Sequence, residues 1–455
     1  MARSRSGLAF LLALALEAGL AALAWIGVFK QDVVKFISLY LLISLFYMVS
    51  CFLITSTRGA LPGPAFVKWI WIFGLLFRLT VAGLDPGLSE DLYRYRWQGK
   101  LQVAGGNPYT ETPQDPGWDH LRDATWPLVT RKDLPSVYGP LLEGLYAGWY
   151  PVANLLTQNE IRQAWWFKIP FAFCELGVAF TLSRLLAAMG LPGAYLLLYL
   201  WSPLVIVEFW AQGHNDTLAV WLLLLALLAA VRNRWTWAFA WLTLAALTKF
   251  WPALLFPFFL LRREEGQWVF RWKPALIAIP VAAAVCLPYL RGIANVHGLL
   301  QGFLGGWRNN DSLYGLIYAA AGENFEQGTV MVTRLLVLSL AALWSLQLPL
   351  VKAAKWAVVI LLFLSANCFP WYLSWLVPFL AIYPGAPLLL WTALVALSYH
   401  ILIGYEILGV WQDSNTFRAL EYLPVYGMLL GRALVTRLPE LFKRNSPPSR
   451  DASVR

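Results

Sequence analysis

The sequence predicts an all-α polytopic membrane protein, and three observations support this fold class. Hydrophobic residues make up 59% of the 455-residue chain and charged residues only 13%, whereas an ordinary soluble domain is about a quarter charged. The apolar residues are also gathered in blocks. These blocks approach or reach the ~20 residues that a helix needs to cross a bilayer, and they include residues 7–28, 34–55, 66–84, 164–183, 193–211, 216–231 and 329–350. We expect about 12 to 14 spans, several of them shorter than a full crossing.

The first apolar block resembles a signal peptide in one respect, because Arg3 and Arg5 precede it. It is longer than the ~7–15-residue apolar core of such a signal, and no small-x-small cleavage site precedes the polar junction FKQDVVK. We therefore interpret it as a membrane helix. No two of the four cysteines form a CxxC pair, so the cysteines predict neither a redox site nor a zinc site.

The net charge of +10 is explained by membrane topology. Lys and Arg cluster in the short loops between apolar blocks, and such loops face the cytoplasm. The clusters are Arg3/Arg5, Arg58, Arg184, Arg232/Arg234, Arg262/Arg263, Arg271/Lys273, Lys352/Lys355 and the C-terminal tail. Both termini are then cytoplasmic, and most acids fall on the opposite face. Lys30 and Lys35 are exceptions on the outer side. No nucleic-acid partner is expected.

This topology divides the chain into four parts. We expect two N-terminal membrane helices in residues 1–65, a catalytic membrane core in residues 66–385, C-terminal membrane helices in residues 386–438 and a basic cytoplasmic tail in residues 439–455. The core includes a large first outer loop, residues 85–162, which is predicted to carry amphipathic helices. The sequence shows no soluble domain, low-complexity linker or heptad repeat.

Residues 90–104 are predicted to form an interfacial helix in the outer loop. Its apolar side chains recur on one stripe at helical spacing, and such a stripe is typical of a helix at a membrane surface; the stripe is Tyr93, Trp97, Leu101 and Ala104. Residues 139–156 are predicted to lie on the outer leaflet or dip into it, because a full crossing would turn every later basic cluster outward. Residues 235–261 should form two helices that break at Pro252.

The outer loop contains the first candidate catalytic residues, the adjacent acids Glu90 and Asp91. Ser89 is a plausible N-cap, and acids in the first turn suit the helix dipole. Glu90 could instead pair with Arg94 at i,i+4, and Asp91 could merely cap the helix.

Four further outer-face segments carry unusual polar or aromatic residues. The triplet His214-Asn215-Asp216 opens an apolar helix, which is costly unless it faces a polar cavity; the last two could also be simple caps, and the histidine an interface residue. Lys249 lies in LTKFWP. It could bind an anion, or it could simply snorkel, with its stem on apolar surface and its ammonium in water. Arg308 lies in GGWRNND and Trp371 in NCFPWYLSW, either of which could belong to an interfacial aromatic belt.

Together these segments place carboxylates, cations and flat rings on one face of the membrane. A carboxylate can deprotonate a hydroxyl, and cations can neutralise a phosphate leaving group. Aromatic rings can stack on sugars or lipid. This combination favours transfer of a group from a membrane-embedded phosphate donor to an acceptor in water.

Four motifs occur in the order SEDLYRYRWQGKLQVAGGNPY, VYGPL, GHNDTLAVWLLLLAL and LTKFWPALLFP. They resemble the bacterial polyprenol-phosphate-mannose-dependent mannosyltransferases and their relatives in the GT-C glycosyltransferase superfamily, over roughly residues 66–380. The resemblance implies an inverting transfer of a sugar from a polyprenyl-phosphate carrier. The active site would lie on the periplasmic or outer face of the inner (plasma) membrane, in a multi-pass protein bound by membrane lipid.

The resemblance also assigns residues. It implies Asp91 as the base, with Glu90 next, and Lys249 and Arg308 as the donor phosphate-binding residues. The remaining substrate-binding candidates are Tyr93, Tyr138, His214, Asn215, Asp216 and Trp371. The family often has two aspartates where this chain has Glu90-Asp91, so the division of roles between them stays open. No metal or other cofactor is implied, because the chain has no clear DxD.

Mannose is the sugar that the resemblance suggests first, and the acceptor could be a glycan, a lipid or a protein. A transporter or lipid flippase is the main alternative, and a non-enzymatic scaffold is a second. Transporters place ionisable groups near the midplane and often show inverted repeats, whereas here the charges gather at one face and no repeat is evident.

Overall fold

A computed structural model describes residues 2–56, 63–295 and 307–444. Two short strands, β1 Leu261–Glu264 and β2 Gln267–Phe270, pair as an antiparallel hairpin. The α-helices are α1 Ala2–Ile26, α2 Val33–Thr55, α3 Pro64–Val81, α4 Asp91–Val103, α5 Pro140–Leu156, α6 Glu160–Trp166, α7 Lys168–Ala188, α8 Leu197–Leu200, α9 Pro203–Val205, α10 Asp216–Val231, α11 Trp235–Ala246, α12 Phe256–Leu260, α13 Trp272–Ala275, α14 Ala278–Cys286, α15 Leu313–Ala320, α16 Phe325–Ser345, α17 Leu350–Leu364, α18 Pro370–Leu373, α19 Val377–Ile382, α20 Ala386–Leu394, α21 Ile401–Leu408 and α22 Asn415–Arg444.

Other helical types connect these elements. A π-helix covers Ile206–Ala211. The 3-10 helices are Phe29–Gln31, Pro116–Leu121, Trp126–Leu128, Gly193–Leu196, Trp251–Leu255, Leu287–Tyr289, Ile293–Asn295 and Val395–His400.

Within those three described ranges, six helices are long and apolar enough to cross a membrane, and one bent pair would add a seventh. The six are Gly7–Ile26, Val33–Thr55, Glu160–Ala188, Trp272–Tyr289, Phe325–Ser345 and Ala386–Leu408, and the pair is Gly193–Leu200 with Pro203–Ala211. The predicted fold class, all-α and polytopic, is therefore confirmed. The predicted total of about 12 to 14 spans exceeds this number, because segments such as Asp216–Val231 fold as helices shorter than a full crossing.

The membrane core contains one buried ion pair that joins two helices. Arg78 of α3 donates from Nε to Glu175 of α7 over 2.8 Å, and both side chains are fully buried. The guanidinium also donates to the carbonyls of Gly74 and Leu200. These hydrogen bonds and the paired carboxylate allow the charge to be tolerated among the apolar helices.

The predicted break at Pro252 is confirmed. α11 ends at Ala246, a 3-10 turn covers Trp251–Leu255, and α12 begins at Phe256. Proline has no N–H for the helical ladder and its ring crowds the preceding turn. The break leaves Lys249 in a short irregular segment between the helices.

The outer loop corrects one prediction. α4 was expected to have one apolar stripe and one polar face, but nine of its 13 residues are buried. Arg94 donates to three backbone carbonyls within residues 130–134, and Arg96 donates to Gln163 and pairs with Asp123. The rest of the loop wraps around α4 and supplies partners for its arginines, so the single apolar stripe predicted for residues 90–104 is wrong, while their place at the membrane surface stays a prediction.

The predicted tail at residues 439–455 falls partly outside the described chain. The last helix, α22, continues to Arg444, so the first residues of the predicted tail belong to a helix. Residues 445–455 lie outside the described residues.

Candidate active site

Asp91 begins α4, and local groups orient its carboxylate. Its backbone N–H donates to Ser89 Oγ over 3.2 Å. Tyr95, one helical turn later, donates its hydroxyl to Asp91 Oδ2 over 3.3 Å. The Asp91 side chain remains 27% exposed. A substrate hydroxyl can therefore reach a carboxylate whose orientation is already restricted.

The turn between the π-helix and α10 brings His214 to Asp91. Gly213 has φ of +73°, a conformation that glycine adopts without strain, and a Cβ there would lie 2.8 Å from Cγ of Lys168. Gln212 Oε1 accepts a hydrogen bond from the N–H of Leu88 over 2.9 Å, across 124 positions in the chain. This bond ties the turn to the residues that precede α4.

His214 lies between two carboxylates. Its Nδ1 is 3.6 Å from Asp91 Oδ2, and its Nε2 is 3.3 Å from Glu208 Oε2. The ring is buried, with a side chain only 1% exposed, and it stacks on Trp371 with centroids 4.1 Å apart. Neither nitrogen has a well-aligned hydrogen bond, although each has a carboxylate oxygen within 3.6 Å.

These contacts set the charge states on both sides. Burial would lower the pKa of His214, but the neighbouring Asp91 and Glu208 outweigh burial and raise that pKa to about 9. Burial would raise the pKa of Asp91, but His214 and Lys249 together bring it below its usual value. At neutral pH the site therefore holds an imidazolium beside an ionised aspartate.

A second ion pair joins α10 to the break after α11. Asp216, the first residue of α10, has Oδ2 3.2 Å from Lys249 Nζ, and its side chain is fully buried. Its Oδ1 accepts from the indole N–H of Trp375 over 2.8 Å. The ammonium of Lys249, with a side chain 16% exposed, also faces the ring of Tyr372 at 5.8 Å.

Aromatic rings connect the two ion pairs. Tyr95, which donates to Asp91, meets the ring of Tyr138 edge-on with centroids 5.4 Å apart. Lys249 Nζ lies 5.2 Å from the centroid of the same Tyr138 ring, a favourable cation–π distance. We call the joined set Asp91, Glu208, His214, Asp216 and Lys249 the polar cluster.

The VYGPL motif has a structural role at this cluster. A Cβ on Gly139 would overlap the carbonyl of Leu247, and the Gly139 N–H donates to the carbonyl of Thr248 over 3.1 Å. Only glycine permits this approach of two backbones. The contact places Tyr138 and the start of α5 directly beside Lys249.

Glu90 does not belong to the polar cluster. Its carboxylate lies 3.5 Å from Lys30 Nζ, which is also 3.2 Å from Glu406. The alternative pairing with Arg94 does not form, since Arg94 is engaged by loop carbonyls. Glu90 and Asp91 thus face different partners, and Lys30, an exception to the basic-loop pattern, is neutralised by two acids.

Two other predicted site residues lie elsewhere. Tyr93 packs with Trp97, Val129 and Ala164. It follows Asp91 by two residues, so its side chain points about 200° away from that of Asp91 around the helix axis. Arg308 donates to Asp311 over 2.7 Å and lies over the ring of Tyr318. Its neighbours Asn309 and Asn310 bond to the segment before Trp371, at Asn367 and Cys368, but Arg308 itself faces Asp311 and Tyr318.

Asn215 lies next to the cluster but faces away from the carboxylates. Its Nδ2 donates to the hydroxyl of Tyr146 over 2.6 Å, and its Oδ1 is buried without a hydrogen-bond partner. Tyr146 stacks on Tyr95 with centroids 4.9 Å apart and an interplanar angle of 6°. Asn215 therefore positions the ring of Tyr146, which packs on Tyr95, the residue that donates to Asp91. The amide oxygen of Asn215 makes no hydrogen bond within the described residues.

Sequence reasoning missed Glu208, Tyr95 and Trp375. Glu208 had a detectable signal, since a carboxylate inside an apolar block is costly and often functional. Tyr95 also had one, because it follows Asp91 by four residues and so shares its helix face. Trp375 had none: its contact with Asp216 spans 159 positions.

An apolar groove of about 620 Å³ lies on chain segments that also carry residues of the site. It lies between α5, α7, the start of α10 and the segment around α14, and it is lined by Pro140, Leu141, Gly144, Leu145, Trp149, Pro170, Phe173, Cys174, Leu218, Val285, Pro288 and Tyr289. Pro140 follows Tyr138 by two residues, and Leu218 follows Asp216 by two. The groove and the polar cluster therefore share two chain segments, although none of the five cluster side chains lines the groove.

Comparison of the sequence with models of protein families shows which family the chain belongs to. The family model of the alpha-(1->6)-mannopyranosyltransferase N-terminal domain matches residues 8–263, more than half of the chain. The chain belongs to this family. The match includes Asp91, Glu208, His214, Asp216 and Lys249, the whole polar cluster. No curated protein and no solved structure matches the chain significantly.

The protein is therefore a membrane mannosyltransferase, an enzyme that transfers mannose from a sugar donor to an acceptor. The resemblance to the GT-C mannosyltransferases is confirmed by this assignment. The transporter, flippase and scaffold alternatives are not supported, since the family is one of transferases.

Proposed function

We propose that this mannosyltransferase uses a polyprenyl-phosphate mannose donor and transfers the sugar, with inversion, to an acceptor hydroxyl at the outer membrane face. The observation that carries the proposal is the polar cluster, together with an apolar groove on two of the same chain segments. A polyprenyl phosphate has the same two parts, an anion joined to a long apolar chain. The groove supplies apolar surface for the chain, and Lys249 and His214 supply positive charge for the phosphate.

Asp91 is the proposed base. It is the most exposed carboxylate of the polar cluster, and its lowered pKa keeps it ionised at neutral pH. In the proposed step Asp91 takes the proton from the acceptor hydroxyl, and the acceptor oxygen forms a bond to C1 of mannose. The C1–O bond to phosphate breaks, and its electron pair stays on the phosphate oxygen. Attack opposite the leaving group inverts C1.

The negative charge that develops on the departing phosphate requires stabilisation. A preorganised cation at such a position commonly contributes ~10²–10³-fold in rate. Lys249 and the imidazolium of His214 can provide it from protein side chains, so we propose a reaction without a metal cofactor. Arg308, originally expected beside Lys249, is assigned no direct part because its contacts are to Asp311 and Tyr318.

The location of the site is part of the proposal. Basic clusters in the short loops support a cytoplasmic location for those loops, and residues 85–162 with the polar cluster would then lie on the outer face of the inner (plasma) membrane. Labelling of single cysteines in inverted and right-side-out vesicles tests this point. A cysteine at position 119 should react only from outside, and one at position 233 only from inside; the opposite pattern would overturn the orientation.

Transfer itself is tested with the purified protein in lipid nanodiscs. The enzyme is incubated with radiolabelled polyprenyl-phosphate mannose and an oligomannoside acceptor. We expect labelled product whose new linkage has the opposite anomeric configuration to the donor, as read by NMR. Use of a nucleotide-linked mannose in place of the lipid donor, or retention of configuration, would contradict the proposal.

A further inference from the structure

Glu208 is a buried acid for which the proposed reaction has so far no use. Its side chain is 1% exposed, and it lies in the second half of a bent apolar pair that qualifies as a membrane span. An ionisable group in such a position is costly and is retained mainly for function. One Glu208 oxygen is 3.3 Å from His214 Nε2, and the other accepts from the hydroxyl of Tyr399 over 2.8 Å.

The local backbone explains how Glu208 comes to face His214. Residues 206–211 form a π-helix, and a π turn often occurs where a helix carries a functional side chain. The chain then returns through Gly213, and the backbone N–H of His214 donates to the carbonyl of Glu208 over 3.1 Å. The same two residues therefore meet through backbone and side chain, which fixes the ring relative to the carboxylate.

We propose that Glu208 is a positioning residue for mannosyl transfer, one that holds the His214 ring as an imidazolium against Asp91. The inference rests on the proposed function, because it takes Asp91 as the base and His214 as a cation near the leaving group. Glu208 touches neither reacting atom. Its effect reaches the reaction through His214, which it contacts on the side opposite to Asp91.

Other groups around the pair do not replace Glu208. Among the described residues, the titratable groups that face Glu208 or His214 are Asp91 of α4, Tyr40 of α2 and Tyr399 of the 3-10 helix Val395–His400. Lys168 of α7 packs against Gly213 instead and donates to the carbonyl of Leu84. Asp91 is the only carboxylate of this group, and it must accept a proton during the reaction. When Asp91 does so, Glu208 remains as the anion that keeps the imidazolium charged.

The first test is a direct titration of His214, independent of catalysis. The chain has four histidines, so carbon-13 labelling of histidine in nanodiscs gives few signals, and the His214 signal is the one lost in His214→Gln. In the wild type we expect its pKa near 9, and in Glu208→Gln we expect it to fall toward the ordinary 6.5. A wild-type His214 that titrates near 6.5, or an unchanged pKa in the variant, overturns the proposal.

The second test is the pH profile of transfer. A histidine whose folded-state pKa is raised is protonated below that pKa and loses its charge above it. The wild type should keep its rate up to about pH 9. At pH values above the His214 pKa of both enzymes, Glu208→Gln should be slower than the wild type by roughly tenfold for each unit by which the His214 pKa falls. At about pH 6 the variant should approach the wild-type rate. Equal loss at all pH values would indicate a merely structural role and contradict the inference.

Two further variants complete the design. Glu208→Asp keeps the charge with a shorter side chain, so its alkaline limb should lie between those of the wild type and Glu208→Gln. Glu17→Gln is the matched control, because Glu17 is a membrane-helix glutamate that accepts from Thr80 Oγ1 over 2.5 Å; its profile should equal the wild type's. Failure of the wild type to transfer mannose would reject the proposed function, while the His214 titration would still decide whether Glu208 holds the imidazolium.

Discussion

Asp216 and Lys249 lie 3.2 Å apart although two helices of the hairpin α10–α11 separate them in sequence. The pair closes the open end of that hairpin. It also places an ammonium group near the aromatic rings of Tyr138 and Tyr372 and within electrostatic reach of Asp91. The position of a cation in this enzyme thus depends on a helix break and on a buried acid.

Removal of the proposed base should abolish most of the activity. Asp91→Asn keeps the shape of the side chain but cannot accept a proton at neutral pH, and a positioned base contributes typically ~10²–10⁴-fold. We expect a fall in kcat of that size, measured by single-turnover transfer, with normal amounts of protein in the membrane. Asp119→Asn, in the same loop and paired with Arg122, is the control and should retain full activity. Near-normal turnover by Asp91→Asn would remove Asp91 from its role.

Loss of Lys249 should affect both rate and stability. Lys249→Ala removes a cation near the leaving group, with an expected rate loss of ~10²–10³-fold, and leaves Asp216 buried without its ion pair. We expect a lower midpoint of thermal unfolding in detergent. The double variant Asp216→Asn with Lys249→Ala should recover the midpoint, because no unpaired charge remains, but not the rate. Recovery of the rate in the double variant would count against a catalytic role for the ammonium.

The groove should distinguish donors by chain length. Gly144 lines it, and a Cβ added at this glycine would have the Tyr289 hydroxyl as its nearest neighbour, at 3.7 Å, so Gly144→Leu adds volume inside the groove. KM for a long polyprenyl donor should rise, with a smaller effect for a donor shortened to two isoprene units. Gly148→Leu, one turn further along α5 with open space around it, is the control. Equal effects of Gly144→Leu on both donors would argue that the chain binds elsewhere.

The ion pair between Arg78 and Glu175 should matter for folding alone. Arg78→Ala leaves a carboxylate fully buried, and breaking a buried pair in this way costs about 3–5 kcal/mol. We expect a clear fall in the unfolding midpoint, and unchanged kcat per folded molecule. Replacement of both residues by Arg78→Met and Glu175→Leu should restore most of the stability. A selective loss of kcat in a stable double variant would show that the pair also serves the active site.

The rate should depend on pH in a bell-shaped manner. Asp91 has a lowered pKa, so its ionised form is lost only as the pH falls through a value below the usual 3.8. His214 has a raised pKa, so its charge is lost as the pH rises through about 9. We therefore expect a broad plateau between these limits in an assay of kcat/KM on the free enzyme. An acidic limb near pH 6 would contradict the assignment of Asp91.

The amino-acid order was sufficient for the properties that arise from composition and local pattern. Block hydrophobicity predicts membrane helices because each apolar segment must satisfy its own backbone hydrogen bonds in lipid. Pro252 predicts the break after α11 because a proline lacks the N–H that a helix interior needs. The acids Asp91 and Asp216 and the cation Lys249 were also recognisable, because a charge beside an apolar block is conspicuous at the level of a few residues.

Long-range packing settled the rest. Whether Glu90 or Asp91 faces the catalytic groups depends on which side of α4 meets the turn at His214, and that turn lies more than a hundred positions away. The exclusion of Tyr93 and Arg308 and the inclusion of Glu208 and Trp375 have the same origin. A side chain's partners follow from how helices distant in sequence enclose it, and the energies involved depend on burial and distance, which no local pattern specifies.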